Sequence, residues 1–524
     1  MDTKPIAANI SHGGGILQGL ATGTSAWYAS YVVTAMLLAF FAFSSKDKYP
    51  ELPWLNQKAP TELTSSKRRA EFIAKPIEHL HKGSTQFKDT PYKLNTENGP
   101  VLVLPPKYVN ELKSDRNLDF KSIASENTHA YLPGFEPLNS PPTLPQIINK
   151  HLTKALLSLT QPISLETTNA LKDVFKESKE WTTITPSQIG LVVSRMSSRI
   201  FMGKELCNDK EWIETSSDYV FTLFRHQLEI AEWPRRLRPL ANWLSPQGAV
   251  VRQKLQRCRD VLQPHLEKRQ AVIDQALARG EKSPYNDAIE WFADTIGKKY
   301  DAASAQIGLS LVAIHTTADL LTQTMYDLAK NPELIPALRQ EVIDVLSTNG
   351  LKKLSFQKLV LVDGSLKESQ RLRPIFTTFF IREALQDVVL SDGFVVKKGT
   401  SLAMNGTNVM MNEEIYPEPH KYNPYRYVKM RQTFGEENKA HLVSTSPEHF
   451  GFGHGIRACP GRFFAANELK IAMAHILLKY DWKLADGAED LKPRAVGINY
   501  LHNPAIKLMV RRRKEELDLD LLEF

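Results

Sequence analysis

The sequence predicts a mainly α-helical protein with a small β-rich lobe, preceded by one N-terminal transmembrane helix. Helical apolar spacing dominates the chain, and its longest stretch, from about Ala302 to Leu328, is apolar on several faces, which predicts a buried helix. The stretch from Trp27 to Phe43 is almost wholly apolar, and the segment 24–45 that contains it is long enough for a membrane span. Short runs with strand composition lie near residues 101–104, 379–384, 388–390, 394–396 and 506–510. Asp392-Gly393 predicts a hairpin turn between the runs at 388–390 and 394–396.

The composition limits the classes of function. A chain of 524 residues, 42% hydrophobic and 24% charged, can bury a large core, and no repeat or low-complexity linker divides it after residue 60. The net charge of +8 is spread along the chain without a dense basic run, so nucleic-acid binding is not expected. The three cysteines, Cys207, Cys258 and Cys459, are too few for a disulfide framework and indicate a reducing compartment.

The N-terminal segment predicts localisation. From Pro5 to Ser45 the chain has no Asp, Glu, Lys or Arg, and Lys46 and Lys48 follow at once. This charge asymmetry predicts a single-pass anchor whose large C-terminal part faces the cytosol. A cleaved signal peptide is the alternative, but the apolar core starts late and lacks a basic flank before it. We expect an uncleaved anchor in the endoplasmic-reticulum membrane.

The run Phe-Gly-His-Gly-Ile-Arg-Ala-Cys-Pro-Gly ends at Gly461 and contains Cys459. A lone cysteine can bind iron when it is kept deprotonated and a flat macrocycle approaches it closely. Gly453, Gly455 and Gly461 would permit that approach. Pro460 suits the first position of a helix, which would place Cys459 at a helix N-terminus, where an anion is favoured.

Two further residues of this run fit a haem ligand loop. Phe452 would cover the sulfur, and Arg457 is placed to pair with a haem propionate. A buried structural cysteine in front of a core helix is the alternative interpretation.

The loop resembles the haem-binding loop of the cytochrome P450 superfamily, the haem-thiolate monooxygenases. The resemblance spans roughly residues 60 to 512 and implies one large helical domain and a small sheet-rich lobe that enclose haem b, with Cys459 as the axial thiolate. The matching residues are Phe452, Gly455, Arg457, Cys459 and Gly461.

Two further motifs, both before the Cys459 loop in the sequence, appear in family order. Glu368-Ser369-Gln370-Arg371 resembles the family's Glu-x-x-Arg helix, and Asn423-Pro424-Tyr425-Arg426 resembles the segment whose arginine completes a Glu-Arg-Arg triad. Residues three apart on a helix share a face, so Glu368 and Arg371 can pair, and Arg426 can satisfy the remaining carboxylate lone pairs. An exposed surface pair is the alternative for an isolated Glu-x-x-Arg.

The segment from Ala313 to Thr317 falls where the family has its oxygen-activation helix. There, the resemblance assigns Ala313 as the small residue that opens the groove and Thr316 as the hydroxyl that relays protons, with Thr317 beside it. His315 stands where the family has an acid. His315 either joins the proton relay or is a hydrogen-bonded core histidine, and the threonines either act in catalysis or bond back to preceding carbonyls.

The remaining site residues also come from the resemblance. Ile375, Phe376 and Thr377 are similar to the strand that edges the substrate cavity, and core packing is the alternative. Arg382 resembles a second propionate-binding arginine. The family's Trp-x-x-x-Arg helix does not appear, and His151 or Lys154 would contact a propionate in its place.

The resemblance implies a monooxygenase that inserts one oxygen atom of O2 into a lipophilic terpenoid, polyketide or alkaloid, similar to fungal microsomal members of secondary metabolism. Electrons would come from NADPH through a separate NADPH-cytochrome reductase, because no Gly-rich dinucleotide fingerprint is visible. A reductase-independent isomerase or peroxygenase and a non-enzymatic haem sensor are the alternatives. The expected parts are a tail (1–23), the transmembrane anchor (24–45), a proline-containing linker (46–60) and the catalytic domain (61–524).

Overall fold

A computed structural model describes residues 30–32, 34–35, 47–62, 64–489, 491–501 and 503–523. The chain divides into two compact units, Met1–Pro53 and Trp54–Phe524. The predicted tail and most of the predicted anchor lie outside the described residues; within 24–45, the described residues 30–32 and 34–35 are helical and exposed. Among all described residues, no helix combines the length and the apolar character that crossing a membrane requires.

The second unit is mainly helical, as predicted. Its α-helices are α1 (Ser66–Ala74), α2 (Pro76–Phe87), α3 (Val109–Leu112), α4 (Phe120–Thr128), α5 (Leu144–Ile147), α6 (Thr153–Val174), α7 (Pro186–Phe201), α8 (Gly203–Leu206), α9 (Lys210–Ala231), α10 (Arg238–Leu244), α11 (Pro246–Ala278), α12 (Ala288–Ile296), α13 (Ala302–Lys330), α14 (Ile335–Asn349), α15 (Lys353–Gln357), α16 (Val360–Leu372), α17 (Gly406–Met410), α18 (Tyr425–Gln432) and α19 (Arg462–Lys479). A π-helical turn, Ile148–Leu152, joins α5 to α6.

The predicted long helix is α13, and it occupies the centre of the helical layer. The side chain of Asp301 caps its N-terminus by accepting a hydrogen bond from the Ser304 N–H at 3.0 Å. Helices α7, α11, α16 and α19 pack against it. The expectation that α13 is buried throughout is wrong in its middle, where Val312 is 53% exposed and His315 and Thr316 are also exposed. This accessible stretch of an otherwise buried helix is where a site can form.

The β-structure forms small antiparallel groups and one mixed sheet. The strands are β1 (Tyr92–Thr96), β2 (Gly99–Leu104), β3 (Leu118–Asp119), β4 (Thr182–Ile184), β5 (Thr378–Ala384), β6 (Val388–Val389), β7 (Val395–Val396), β8 (Ser401–Asn405), β9 (Tyr480–Leu484), β10 (Arg494–Val496), β11 (Asn499–Leu501) and β12 (Leu508–Arg512). All five predicted runs contain a strand, whereas β1, β3, β4, β8, β9, β10 and β11 were not predicted.

The largest sheet has the order β1-β2-β8-β5-β3. Its one parallel pairing joins β2 to β8, with Leu102 opposite Leu402, and its other pairings are antiparallel. Strands β4, β12 and β9 form a second sheet, and β10 pairs with β11. Strands β6 and β7 form the hairpin that Asp392-Gly393 predicts, with Gly393 at φ +86°.

One large core holds the helical layer together. Buried side chains of α6, α7, α13, α16 and α19 contribute to it, while a smaller cluster of Phe72, Leu80, Tyr92, Leu94 and Val103 joins α1 and α2 to the large sheet. The first residue of α19 follows Cys459 by three positions, and α16 carries Glu368 and Arg371. The helices that position the predicted site are therefore anchored in the main core.

Candidate active site

Cys459 lies in the turn that leads into α19. Its backbone N–H donates to the Phe452 carbonyl at 2.8 Å, and the backbone N–H groups of Gly461 and Arg462 near its sulfur favour the thiolate. The expectation that Pro460 begins the helix is wrong, because Gly461 is the N-cap residue and Arg462 is the first helical residue. The sulfur nevertheless faces the free N–H groups at the helix N-terminus, which stabilise a thiolate.

Glycine is required at Gly455 but not at Gly461 for backbone conformation. Gly455 has φ +75°, and a Cβ added there would lie 2.1 Å from the Lys113 carbonyl oxygen. The Lys113 carbonyl also accepts a hydrogen bond from the Ile456 N–H at 3.1 Å. Gly461 has φ −82°, which any residue adopts, and a Cβ added there would lie 4.0 Å from the Cys459 sulfur, an ordinary van der Waals contact. The loop is thus fixed from outside through Gly455.

Burial raises the pKa of the Cys459 thiol above its ordinary value of 9.0, although the Gly461 N–H and the Arg462 charge oppose that shift. Without a bound metal ion, the folded protein therefore holds Cys459 as a protonated thiol at neutral pH. A metal ion that binds the sulfur displaces this proton, because the thiolate is the ligand.

The Glu368 carboxylate lies at the centre of the predicted triad. It accepts hydrogen bonds from Arg371 Nε at 2.8 Å and Nη2 at 2.9 Å, and from Arg426 Nε at 2.9 Å. The Asn423 backbone N–H also donates to it at 3.1 Å, and Arg371 Nη1 donates to the Met410 carbonyl at 2.7 Å. Both Glu368 and Arg371 are fully buried, so the alternative of an exposed surface pair is wrong.

Arg382 is a buried cation on β5. The structure describes no carboxylate that forms an ion pair with it; its guanidinium lies over the rings of Phe120 and Phe380 and donates to the Ile381 carbonyl at 2.7 Å. Burial and the nearby Arg457 lower the pKa of Arg382 to about 10. A β-bulge between Phe379 and Arg382, with Phe380 at φ +57°, directs this side chain, and nothing in the sequence predicted the bulge.

Arg457, the other predicted propionate ligand, pairs with a protein carboxylate. Its Nη2 lies 3.2 Å from Asp119 Oδ1, and its side chain is 39% exposed. Asp119 also caps α4 by accepting from the Ser122 N–H at 2.7 Å. Sequence reasoning missed Asp119, although an aspartate before Phe120 and three positions before Ser122 is a recognisable N-cap signal.

The oxygen-activation segment lies in the exposed middle of α13. Thr316 is exposed, and its hydroxyl donates to the Val312 carbonyl at 3.0 Å, as the back-bonding interpretation expects, whereas Thr317 is buried. Ala313 is half-buried. His315 is exposed at its surface, yet desolvation by the surrounding protein lowers its pKa below the ordinary 6.5. Of the two threonines, only Thr316 presents its hydroxyl to accessible space.

The three residues predicted to edge the substrate cavity differ in burial. Ile375 is half-buried and Phe376 is 49% exposed, so both border accessible space. Thr377 is completely buried, and its backbone N–H donates to the Ile498 carbonyl at 2.8 Å, so its side chain belongs to the packed interior.

His151 and Lys154 lie at the junction of the π-helical turn and α6. The His151 ring stacks on Trp291 of α12 with 6.1 Å between centroids, and its Nε2 has no hydrogen-bond partner among the described residues. Lys154 is exposed. Their contact with a propionate stays a prediction.

The donor set fits a haem. The Cys459 sulfur would supply a soft ligand to the haem iron, and the Gly461 and Arg462 N–H groups favour its thiolate. Arg382 supplies a buried positive charge that lacks a carboxylate partner in the described chain, as an acidic haem edge requires. The middle of α13 supplies accessible side chains, among them Val312, His315 and Thr316.

Comparisons with known proteins agree with this geometry. The family model described as cytochrome P450 matches residues 96–508. The chain is 43% identical to cytochrome P450 monooxygenase eqxH of Fusarium heterosporum over 94% of this chain and 96% of that one. It is 38% identical to cytochrome P450 monooxygenase hepE of Aspergillus oryzae, over 93% of this chain and 90% of the relative.

Solved structures share the fold. The crystal structure of the cytochrome P450DA heme domain matches with a TM-score of 0.65 at 16% identity, covering 88% of this chain and 97% of that one. The retinoic-acid-bound cyanobacterial CYP120A1 matches with a TM-score of 0.60 at 18% identity, over 88% of this chain and 98% of that one. The chain belongs to the cytochrome P450 family and is a haem-dependent monooxygenase.

Proposed function

We propose that this protein is a membrane-anchored monooxygenase of secondary metabolism that oxidises a lipophilic terpenoid, polyketide or alkaloid. The observation that carries the assignment of the centre is the position of Cys459 just before the N-terminus of α19, where the Gly461 and Arg462 N–H groups favour its thiolate. The similarity of this chain to fungal cytochrome P450 monooxygenases over nearly its whole length supports the reaction class.

Cys459, Arg382 and Arg457 would each bind a different part of the haem. Haem bound through Cys459 would supply oxygen activation, with the thiolate increasing electron density at the iron. Arg382 would hold a propionate by a charge-assisted hydrogen bond. Arg457 can exchange Asp119 for the second propionate, because the Arg457 side chain is 39% exposed and a solvent-accessible ion pair, here with 3.2 Å between Nη2 and Oδ1, is weak.

Proton delivery is assigned to α13. The Thr316 hydroxyl is accessible and already bound to the Val312 carbonyl, so it can hold a proton at Oγ1 and pass it toward the haem side. His315, one residue earlier, lies where the family usually has an acid, and because desolvation lowers its pKa below 6.5 it would act as a neutral imidazole at neutral pH. Half-buried Ala313 leaves space beside both groups.

The apolar side chains on α13 and at residues 375–376 suit an apolar substrate. Val312 and Phe376 are exposed apolar side chains and Ile375 is half-buried, and apolar surfaces of this kind bind lipophilic molecules mainly by excluding water. The choice between terpenoid, polyketide and alkaloid depends on dispersed side chains of this kind.

The reaction is tested with full-length protein, purified cytochrome reductase, NADPH and a panel of lipophilic candidates under labelled O2. The proposal expects product that carries one labelled oxygen atom and requires NADPH and reductase. Turnover with peroxide alone would identify a peroxygenase, turnover without any oxidant an isomerase, and binding without turnover a sensor; each result contradicts the proposal.

The location is tested on the same full-length chain in microsomes. We propose a single-pass anchor at residues 24–45 in the endoplasmic-reticulum membrane, with the catalytic domain in the cytosol, because Lys46 and Lys48 follow an uncharged segment. Alkaline carbonate should leave the protein in the membrane, and added protease should digest the catalytic domain of sealed microsomes. Release by carbonate, or protection from protease, would contradict this topology.

A further inference from the structure

Lys367 is a buried cation whose partners are backbone carbonyls. The residue is 1% exposed, and its Nζ donates to the Lys439 and His441 carbonyls at 2.7 Å each and to the Ser444 carbonyl at 3.4 Å. An ammonium group carries three donors on a compact head, which matches three convergent oxygens. Lys367 therefore gathers residues 439–444 around its side chain.

Asp363 lies one turn earlier on α16. It binds residues 439–444 as a hydrogen-bond acceptor, whereas Lys367 binds them as a donor. Its carboxylate accepts from the Leu442 N–H at 2.8 Å and pairs with Arg431 of α18 at 2.6 Å and Lys470 of α19 at 3.1 Å. Burial opposes its ionisation, but Lys470 and Arg431 outweigh that effect and hold the pKa of Asp363 below its ordinary value. Burial lowers the pKa of Lys367 to about 7, and Asp363 opposes this shift, so the two charges support each other.

The segment that these residues hold leads directly into the Cys459 loop. Five residues after Ser444, His449 Nε2 donates to Gln370 Oε1 of α16 at 3.0 Å. The chain then passes so close to α16 that a Cβ on Gly451 would lie 1.9 Å from Gln370 Oε1. On the far side of Cys459, helix α19 returns to Asp363 through Lys470. Both ends of the loop are thus tied to one face of α16.

We propose that Lys367 and Asp363 are positioning residues for the Cys459 loop, because together they fix the segment that enters the loop, residues 439–444, relative to the helix that leaves it. This inference rests on the assignment of Cys459 as the iron ligand. It is separate from the Glu368 triad, whose contacts reach residues 410–426 and not residues 439–444.

The test combines two measurements on full-length protein, wild type and Lys367→Met. Amide hydrogen exchange across residues 439–451 should become at least about tenfold faster in the variant, because three carbonyls lose their donor. The carbon-monoxide difference spectrum of the reduced holoprotein should show the red-shifted thiolate band falling by about half or more, with an unshifted band in its place. Asp363→Asn should accelerate exchange in the same segment, and it substitutes for Lys367→Met if that variant does not fold.

Lys479→Met is the matched control. Lys479 is also a buried lysine, 5% exposed, but its partners are Glu515 and Asp520 at 3.2 and 3.1 Å. Its loss should accelerate exchange near residues 515–520 and leave both the 439–451 segment and the thiolate band as in the wild type. Wild-type exchange and spectrum in Lys367→Met, or equal changes in both lysine variants, would overturn the proposal. A wild-type protein without the thiolate band would instead overturn the Cys459 assignment, while the exchange data would still report on Lys367.

Discussion

The Glu368 carboxylate and the Arg371 guanidinium, three residues apart on α16, form an ion pair in which neither side chain has any exposed surface. The Nε–Oε2 distance is 2.8 Å, and the second carboxylate oxygen is shared between Arg371 and Arg426. A buried pair of this kind exists only where each charge is fully hydrogen-bonded, since an unpaired buried charge is costly. The pair therefore fixes α16 against the chain around Arg426.

Glu368→Gln should strongly destabilise the protein. The amide leaves the cations of Arg371 and Arg426 without a counter-charge, and breaking a buried pair costs about 3–5 kcal/mol. The free energy of unfolding, measured by denaturant titration, should fall by that amount. Glu78→Gln is the control, because Glu78 pairs with Lys75 at 3.2 Å on an exposed surface, and its loss should cost less than about 1 kcal/mol. Equal effects of the two substitutions would contradict this account.

Thr316→Ala should uncouple electron use from product formation. The accessible hydroxyl of Thr316 is assigned to proton delivery, a function that typically contributes about 100-fold or more to rate. Product formed per NADPH consumed should fall at least about tenfold, while Thr316→Ser restores it. Thr317→Val, which removes a hydroxyl from the buried neighbour, should change the ratio little. A larger loss from Thr317→Val than from Thr316→Ala would show that Thr317 delivers the protons, and it would contradict the assignment to Thr316.

Arg382→Met should weaken haem retention without destabilising the haem-free protein. The described chain offers Arg382 no carboxylate partner, so its burial costs free energy until an anion binds. Transfer of haem to an acceptor globin should become at least about tenfold faster, since losing one partner of a buried charge pair mainly raises the dissociation rate. The haem-free variant should unfold at the same denaturant concentration as the wild type or a higher one. Unchanged haem transfer would exclude Arg382 as a propionate ligand.

Glu468 should make stability fall as the pH rises. It is completely buried on α19, accepts one hydrogen bond from Ser197 at 2.8 Å, and burial raises its pKa to about 8. The unfolded chain loses this proton near pH 4.5, so the folded state binds one more proton than the unfolded state between these values. Stability from this group is therefore complete below pH 4.5 and is lost progressively up to about pH 8.

Glu468→Gln is neutral at every pH and should remove that slope. The difference in unfolding free energy between variant and wild type, measured from pH 5 to pH 9, should grow in favour of glutamine with increasing pH. A constant difference across this range would show that Glu468 is ionised in the folded protein.

The parts of the fold that sequence predicted are those set by local pattern. The 3.6-residue apolar period gave α13, and the Asp392-Gly393 pair gave the β6–β7 hairpin. Strand β8 was missed because Ser401–Asn405 contains no β-branched or aromatic residue, and it becomes a strand through pairing with β5 and with β2, which lies far away in the sequence. Non-local pairing of this kind leaves little trace in a single segment.

Among the site residues too, those with a local sequence pattern were predicted and those that depend on contacts between distant elements were not. Cys459 and the Glu368–Arg371 pair were found because fixed spacing carries their chemistry. The bulge that directs Arg382 and the pairing of Arg457 with Asp119 depend on contacts between distant elements. Lys367 and Asp363 were also missed, since two charged residues on one helix face ordinarily indicate solvent, and only the packed structure shows α16 buried from Leu361 to Arg371.

The most direct test of the central claim is the carbon-monoxide difference spectrum of dithionite-reduced, full-length protein, compared with Cys459→Ala. Cys459 as the iron ligand predicts a strongly red-shifted Soret band in the wild type that is absent from the folded variant, because only a thiolate ligand produces that shift. Cys207→Ala, a buried cysteine far along the chain from the loop, serves as the control and should keep the band. A red-shifted band that survives in Cys459→Ala, or that is missing from folded, haem-loaded wild-type protein, would contradict the haem-thiolate assignment.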